Sequence, residues 1–165
     1  VRLLLEKKIF LNLIKFCKKF NYKLFFLDRP GQDNNVLLKK EFGSNDWKYI
    51  KYKNLKDKYK ILSKSILIAF AHSTLGYEFF SRGFKVVAFN HNEYNYSNIL
   101  KNKKNGPFWC DPNNYPAVER KLLKVLRCKK NDWKKIITHN AKKIILFNKK
   151  NNIKIKKIKK LLNAK

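Results

Sequence analysis

The sequence predicts an α/β fold in which a mostly parallel sheet is covered by helices on both faces. Three observations carry that expectation. Short apolar runs of strand length alternate with longer stretches whose apolar residues recur every three or four positions. The run SILIAF at residues 65–70 passes through a hydroxyl-bearing turn and a short helical stretch into a second apolar run that opens at Lys85, which is the order of a parallel crossover. The run at residues 22–27 is nearly continuous rather than alternating, as expected of a strand buried on both faces.

The elements follow in order. Residues 3–20 carry Leu3, Leu4, Leu5, Phe10, Leu11, Leu13, Ile14 and Phe16 at helical spacing, with Lys18 and Lys19 in the last turn, where cations favour the helix dipole. Asp28-Arg29-Pro30-Gly31 ends the strand at 22–27, because Pro and Gly interrupt regular structure. A helix is expected over 36–42, stopped by Gly43, then an alternating strand over 47–52 and a short helix over 55–62 leading into the central strand. Beyond Asn90 the polar stretch 91–105, rich in Asn and Tyr, reads as the longest loop, and its His91, Glu93 and Tyr94-Asn95-Tyr96 run is a candidate cleft lining or simply polar chain. Residues 115–127 form an amphipathic helix, and a second runs from Asn131 to about Phe147 with Asn131 or Asp132 as its N-cap. Trp109 and Trp133 are expected in the core and His139 on a helix surface.

The chemistry concentrates at residues 72–78, HSTLGYE. Ser73 and Thr74 stand where a strand ends and a helix begins, and the orphan N–H groups and dipole of a helix N-terminus favour an anion such as phosphate. Ser or Thr before a helix is also how an ordinary N-cap arises, so both roles stay open for Ser73, Thr74 and the tight turn at Gly76. Position favours a ligand, since α/β sheets bind ligands at the carboxyl ends of their strands. Glu78, one turn after Thr74, is placed either to cap the N-terminus or to bond a ribose hydroxyl. His72 can touch a phosphate or stand behind the hydroxyls, and Arg29, closing another strand, can reach a phosphate or remain solvated.

Ser73-Thr74-Leu75-Gly76-Tyr77-Glu78, followed by Ser81-Arg82-Gly83 and Lys85-Val86-Val87-Ala88-Phe89, resembles the donor-side signature of bacterial surface carbohydrate biosynthesis proteins, glycosyltransferase-like enzymes with the two-domain B-type architecture. Arg29-Pro30 after a strand and Gly106-Pro107-Phe108-Trp109 before two helices extend the likeness over roughly residues 20–150. The resemblance implies a Rossmann-like domain, the C-terminal half of a B-type glycosyltransferase, over residues 1–148, lacking its first strand and the N-terminal acceptor domain and so inactive alone. It implies a nucleotide-sugar donor whose phosphate is held by Ser73, Thr74, Leu75, Gly76 and Arg29, with Glu78 and His72 on the ribose or sugar. A departure from the family pattern at His72 weakens any catalytic role for it. No residue stands out as catalytic base, and no DxD-type pair lies beside the motif, so the expectation is metal-independent chemistry without a cofactor. A glycerophosphate or other phosphoalcohol transferase of teichoic-acid-like polymers is the neighbouring alternative.

The net charge of +29 raises another class, a basic non-enzymatic nucleic-acid-binding protein. Composition argues against a specific nucleic-acid partner. Lys, Asn, Ile, Phe and Tyr, all with A/T-rich codons, make up 90 of the 165 residues, and only five of the 40 basic residues are Arg, the side chain that bidentate phosphate and base contacts favour. Cys17, Cys110 and Cys128 are widely spaced and form no CxxC, which fits a reducing cytoplasm. No apolar run is long enough to cross a bilayer. Residues 149–165 form a basic amphipathic tail with aliphatics at 155, 158, 161 and 162; the stretch 151–165 suits the anionic inner leaflet of a membrane, or is a lysine-rich terminal helix shaped by codon bias.

Overall fold

The computed structural model describes residues 2–28, 33–43, 45–71, 73–90 and 105–144. Among these the chain forms α1 (Arg2–Lys19), β1 (Leu24–Phe26), α2 (Asn35–Phe42), β2 (Trp47–Tyr49), α3 (Leu55–Leu62), β3 (Ile68–Phe70), α4 (Thr74–Ser81), β4 (Val86–Phe89), β5 (Trp109–Cys110), α5 (Tyr115–Arg127) and α6 (Lys130–Ile144). The expected mixed α/β order is present, and every strand pair is parallel. The strands nevertheless form two short sheets instead of one: β1 with β2, and β3-β4-β5. Leu24 is in register with Trp47, Ile68 with Val86, and Ala88 with Trp109.

Local chemistry explains most boundaries. Gly43 takes φ +69° and its N–H closes α2 on Lys39 O at 3.0 Å, a left-handed stop that suits glycine. Asn54 caps α3 by accepting from the Asp57 amide at 3.0 Å, and Asn114 caps α5 by accepting from Ala117 at 3.1 Å, with Pro116 in the first turn. The strands are shorter than their apolar runs. The run at 22–27 yields three paired residues, that at 47–52 three, and that at 65–70 three. Strand β5 was not expected: two residues cannot show alternation, and Gly106-Pro107 before them reads as loop. Helix α6 starts at Lys130, with the Trp133 amide bonded to Lys129 O at 2.9 Å, so Asn131 and Asp132 lie inside its first turn rather than at the N-cap. Residues 91–104 and the tail at 149–165 lie outside the described residues.

The core centres on β4, whose four residues are all at most 1% exposed. Successive strand residues point to opposite faces, so both faces of β4 are covered, and α4 and α5 both pack on it. Phe80 of α4 stacks on Phe108 with ring centroids 4.0 Å apart and meets the edge of Trp133 at 5.7 Å. The Trp133 indole N–H donates to Gly83 O and Phe84 O, both at 3.2 Å, tying α6 to the turn before β4. Lys85 at the start of β4 donates to Leu126 O in the last turn of α5, and Lys121 of α5 to Gly106 O.

Helix α1 serves both sheets. Phe10 packs edge-on against Phe26 at 5.5 Å and Trp47 at 5.2 Å on the first sheet, while Phe16 and Cys17 belong to the core of the second. Lys8 reaches Asn113 at 3.1 Å in the connection before α5, and from Asn12 the contacts advance together along both segments: Asn12 to Pro112 O at 2.8 Å, Lys15 over the Tyr115 ring at 4.2 Å and Lys19 to Glu119 at 2.7 Å. Helices α1 and α5 therefore run parallel, side by side. The first sheet is covered less well than the continuous apolar run suggests: Phe25 is 44% exposed, and α2 and α3 contribute no fully buried residue. One face of β1 thus remains open, against the expectation of burial on both.

Two outcomes follow from this packing. Phe80→Ala should cost about 3–5 kcal/mol, the cost of emptying an aromatic site in a close-packed core, read as a lower urea midpoint with unchanged slope. All three cysteines are free. Burial pushes the thiol of Cys17 up to about 11 and that of Cys110 up to about 12, whereas Cys128 is half-exposed. At pH 8 a thiol reagent should modify Cys128 alone in the folded protein, and Cys17 and Cys110 only after denaturation.

Candidate functional site

The β3–α4 turn lies at the carboxyl end of a parallel strand, as its sequence indicated. Ser73 is the N-cap of α4: its Oγ accepts from the Gly76 amide at 3.3 Å, and its carbonyl accepts from Tyr77. Thr74 and Leu75 occupy the first two helical positions, whose amides have no acceptor within a helix. Thr74 is exposed, while Leu75 leans on the core. Gly76 has a structural reason of its own. A Cβ there would collide with the ring of Phe70, so the glycine lets the helix close over the end of β3. Its role is a close approach of helix to strand.

Glu78 does not reach back to the helix N-terminus. The position from which a capping glutamate would do so is Gly76, three residues after the cap. One carboxylate oxygen of Glu78 instead accepts from Arg82 Nη2 at 2.6 Å, and the other accepts from the hydroxyl of Tyr59 on α3. The Tyr59 ring stacks on Phe79 at 5.4 Å and carries the Arg82 guanidinium at 5.1 Å from its centroid. Burial, then its hydrogen bond to Glu78, raises the Tyr59 pKa, so its hydroxyl is a proton donor at neutral pH.

A second polar group gathers at the carboxyl ends of β1 and β2. Buried Asp28 accepts from the Asn34 amide at 3.0 Å, the Asn34 side chain at 2.8 Å and the Tyr49 hydroxyl at 3.2 Å. Its carbonyl accepts from Tyr52 at 2.5 Å and from Lys58 Nζ at 2.8 Å. Burial and the neighbouring Asp28 charge push Tyr49 up to about 12, which keeps it a donor. Lys51 holds Asp33 below the usual carboxylate range. Polar residues also follow β4 and β5: Asn90 is buried, and Asp111 accepts from Asn113. Among the described residues, polar side chains thus gather near the carboxyl ends of β1, β2, β4 and β5, over an aromatic core.

Of the residues singled out in the sequence, Ser73, Thr74, Leu75, Gly76 and Glu78 come together on one turn and helix. Arg29, His72, His91, Glu93 and Tyr94-Asn95-Tyr96 lie outside the described residues, as does the tail. Sequence reading missed Tyr59 and Arg82 as partners of Glu78, and Tyr49, Tyr52 and Lys58 around Asp28. The Glu78–Arg82 spacing of four was a usable signal for a helical ion pair. The contacts with Tyr59 and with Asp28 cross between elements and leave no local pattern. Among the described residues no group of His, Cys, Asp or Glu is placed to hold a metal ion, and no helix is long and apolar enough to cross a membrane.

This architecture defines a mixed α/β protein with short parallel sheets and a capped helix N-terminus at a strand's carboxyl end. A family model described as "putative O-antigen biosynthesis protein" matches residues 3–163, and the chain belongs to that family. The membership links it to the biosynthesis of surface polysaccharide. No curated protein and no solved structure matches the chain.

The turn yields a paired expectation. Gly76→Ala should destabilise by about 1–3 kcal/mol through overpacking against Phe70. Phe70→Leu in the same chain should recover part of that loss, so that the two changes are non-additive in a thermal-melt cycle.

Proposed function

We propose that the chain is the nucleotide-sugar-binding domain of a glycosyltransferase acting in surface polysaccharide assembly, with the B-type architecture. The observation that carries this reading is the β3–α4 turn: a parallel strand ending in a serine-capped helix whose first two amides have no acceptor within the helix, with Thr74 exposed beside them. In open parallel sheets that is where nucleotide phosphates bind. Ser73, Thr74 and the amides of Leu75 and its neighbours would hold the donor phosphate, with Arg29 and His72 as further contacts, and Glu78 would meet the ribose. Negative charge builds on that phosphate as the glycosidic bond breaks. Donors already fixed there stabilise the transition state more than the ground state.

The division of the strands supports the same reading. One further parallel strand between β1 and β3 would give the order β2-β1-x-β3-β4-β5, that of a doubly wound sheet. Helix α1, parallel to α5 and packed over both sheets, has the place of a crossover helix in such a sheet.

The test separates capping from phosphate binding. Asp caps a helix as well as Ser does but repels a phosphate. Ser73→Asp should therefore keep the melting temperature of the parent while reducing affinity for UDP, CDP, GDP or CMP, measured by calorimetry, by about tenfold or more. Ser73→Ala with Thr74→Ala should weaken the same binding by about 1–3 kcal/mol. Unchanged affinity in both variants would remove the phosphate role from this turn.

A further inference from the structure

Thr74, Glu78 and Arg82 recur every four residues and so form one stripe along α4, while Gly76, Tyr77, Phe79 and Phe80 are its buried residues. The stripe is completed from another element by Tyr59 of α3. Each oxygen of the Glu78 carboxylate already has one donor, Arg82 on Oε1 and the Tyr59 hydroxyl on Oε2. Both donors are held by packing, since the Tyr59 ring lies on Phe79 and the Arg82 guanidinium lies over the Tyr59 ring. An ionised carboxylate has about four acceptor positions, so a free position remains on each oxygen. A carboxylate fixed in this way is a two-pronged acceptor, matched to two adjacent hydroxyls rather than to one. Glu78 lies four residues after Thr74, about 6 Å further along the helix axis.

We infer that Tyr59 is a specificity-determining positioning residue: by fixing the Glu78 carboxylate it makes the site select ribonucleotides, with their vicinal 2′,3′-diol, over 2′-deoxyribonucleotides. This rests on the nucleotide-binding reading above and adds to it a residue on a different helix. Arg82 alone does not supply the selection, because it bonds one oxygen from the same helix and leaves the carboxylate free to turn about that contact. Tyr59 supplies the second point.

The probes are UDP, CDP and GDP with their 2′-deoxy counterparts, titrated calorimetrically into the full 165-residue chain. The parent should bind its best ribonucleotide about tenfold or more tighter than the 2′-deoxy form, the scale of a hydrogen bond to a charged group. Tyr59→Phe keeps the ring on Phe79 and removes only the hydroxyl. It should bring the two forms to within about twofold by weakening the ribonucleotide alone, with deoxynucleotide affinity unchanged. Glu78→Gln should lose the same preference, and the double variant should lose no more than either single one. A Tyr59→Phe protein that keeps the full preference overturns the inference while leaving nucleotide binding intact, as does a parent that binds both forms equally. Failure of every nucleotide to bind the parent overturns both this inference and the reading beneath it. Should Tyr59→Phe not fold, the preference of Glu78→Gln decides: its retention rules out the diol contact that Tyr59 is inferred to serve.

Discussion

The stack of Phe80 on Phe108, closed by the edge of Trp133, is the contact on which the second sheet depends. Phe80 comes from α4, Phe108 from the segment entering β5, and Trp133 from α6. One aromatic layer therefore joins the helix that carries the turn, the strand beside β4 and the C-terminal helix. All three side chains are buried, and the Trp133 N–H is satisfied by the carbonyls of Gly83 and Phe84. Burial of the three rings fixes the axis of α4, and the axis of α4 fixes where Ser73, Thr74 and Glu78 stand.

Much of this was legible in the sequence because it is written locally. Helix α5 spans the stretch its periodicity predicts, and the run–turn–run pattern of residues 65–89 became β3, α4 and β4 in parallel. Ser73 emerged as the cap that a serine before a helix implies. What escaped was non-local or very short. Strand β5 has two residues, below the length at which alternation exists. The exposure of Phe25 depends on what covers β1, and six residues of apolar sequence do not specify that. The partners of Glu78 lie on α3 and one turn ahead on α4, so the residue's type was readable but its attachments were not. Gly76 shows the subtler limit: a glycine in a hydroxyl-rich turn suggests room for a phosphate, whereas the neighbour it makes room for is Phe70.

The charge distribution bears on the composition. The acidic residues are few, and several act as anchors between elements: Glu41 with Lys7, Asp46 with Lys18, Glu119 with Lys19 and Asp33 with Lys51. Exposed pairs of this kind add little stability each, so the fold does not rest on them. The lysine excess in the described part is largely a solvated exterior over an aromatic interior.

Among the described residues the two sheets share no hydrogen-bond ladder, so side-chain contacts set their spacing. A hydrogen-bond ladder sets neighbouring strands at a fixed distance of about 4.8 Å, whereas an interface of Phe10, Phe16 and Leu24 resists sliding and tilting only through van der Waals contact. Helix α1 is therefore a strap across two separate sheets. Helix α3 adds polar ties between the two ends: Lys58 donates to the Asp28 carbonyl beside the first sheet and Tyr59 donates to Glu78 beside the second, so the Asp28 group and the helix that carries Ser73 are coupled through one short helix.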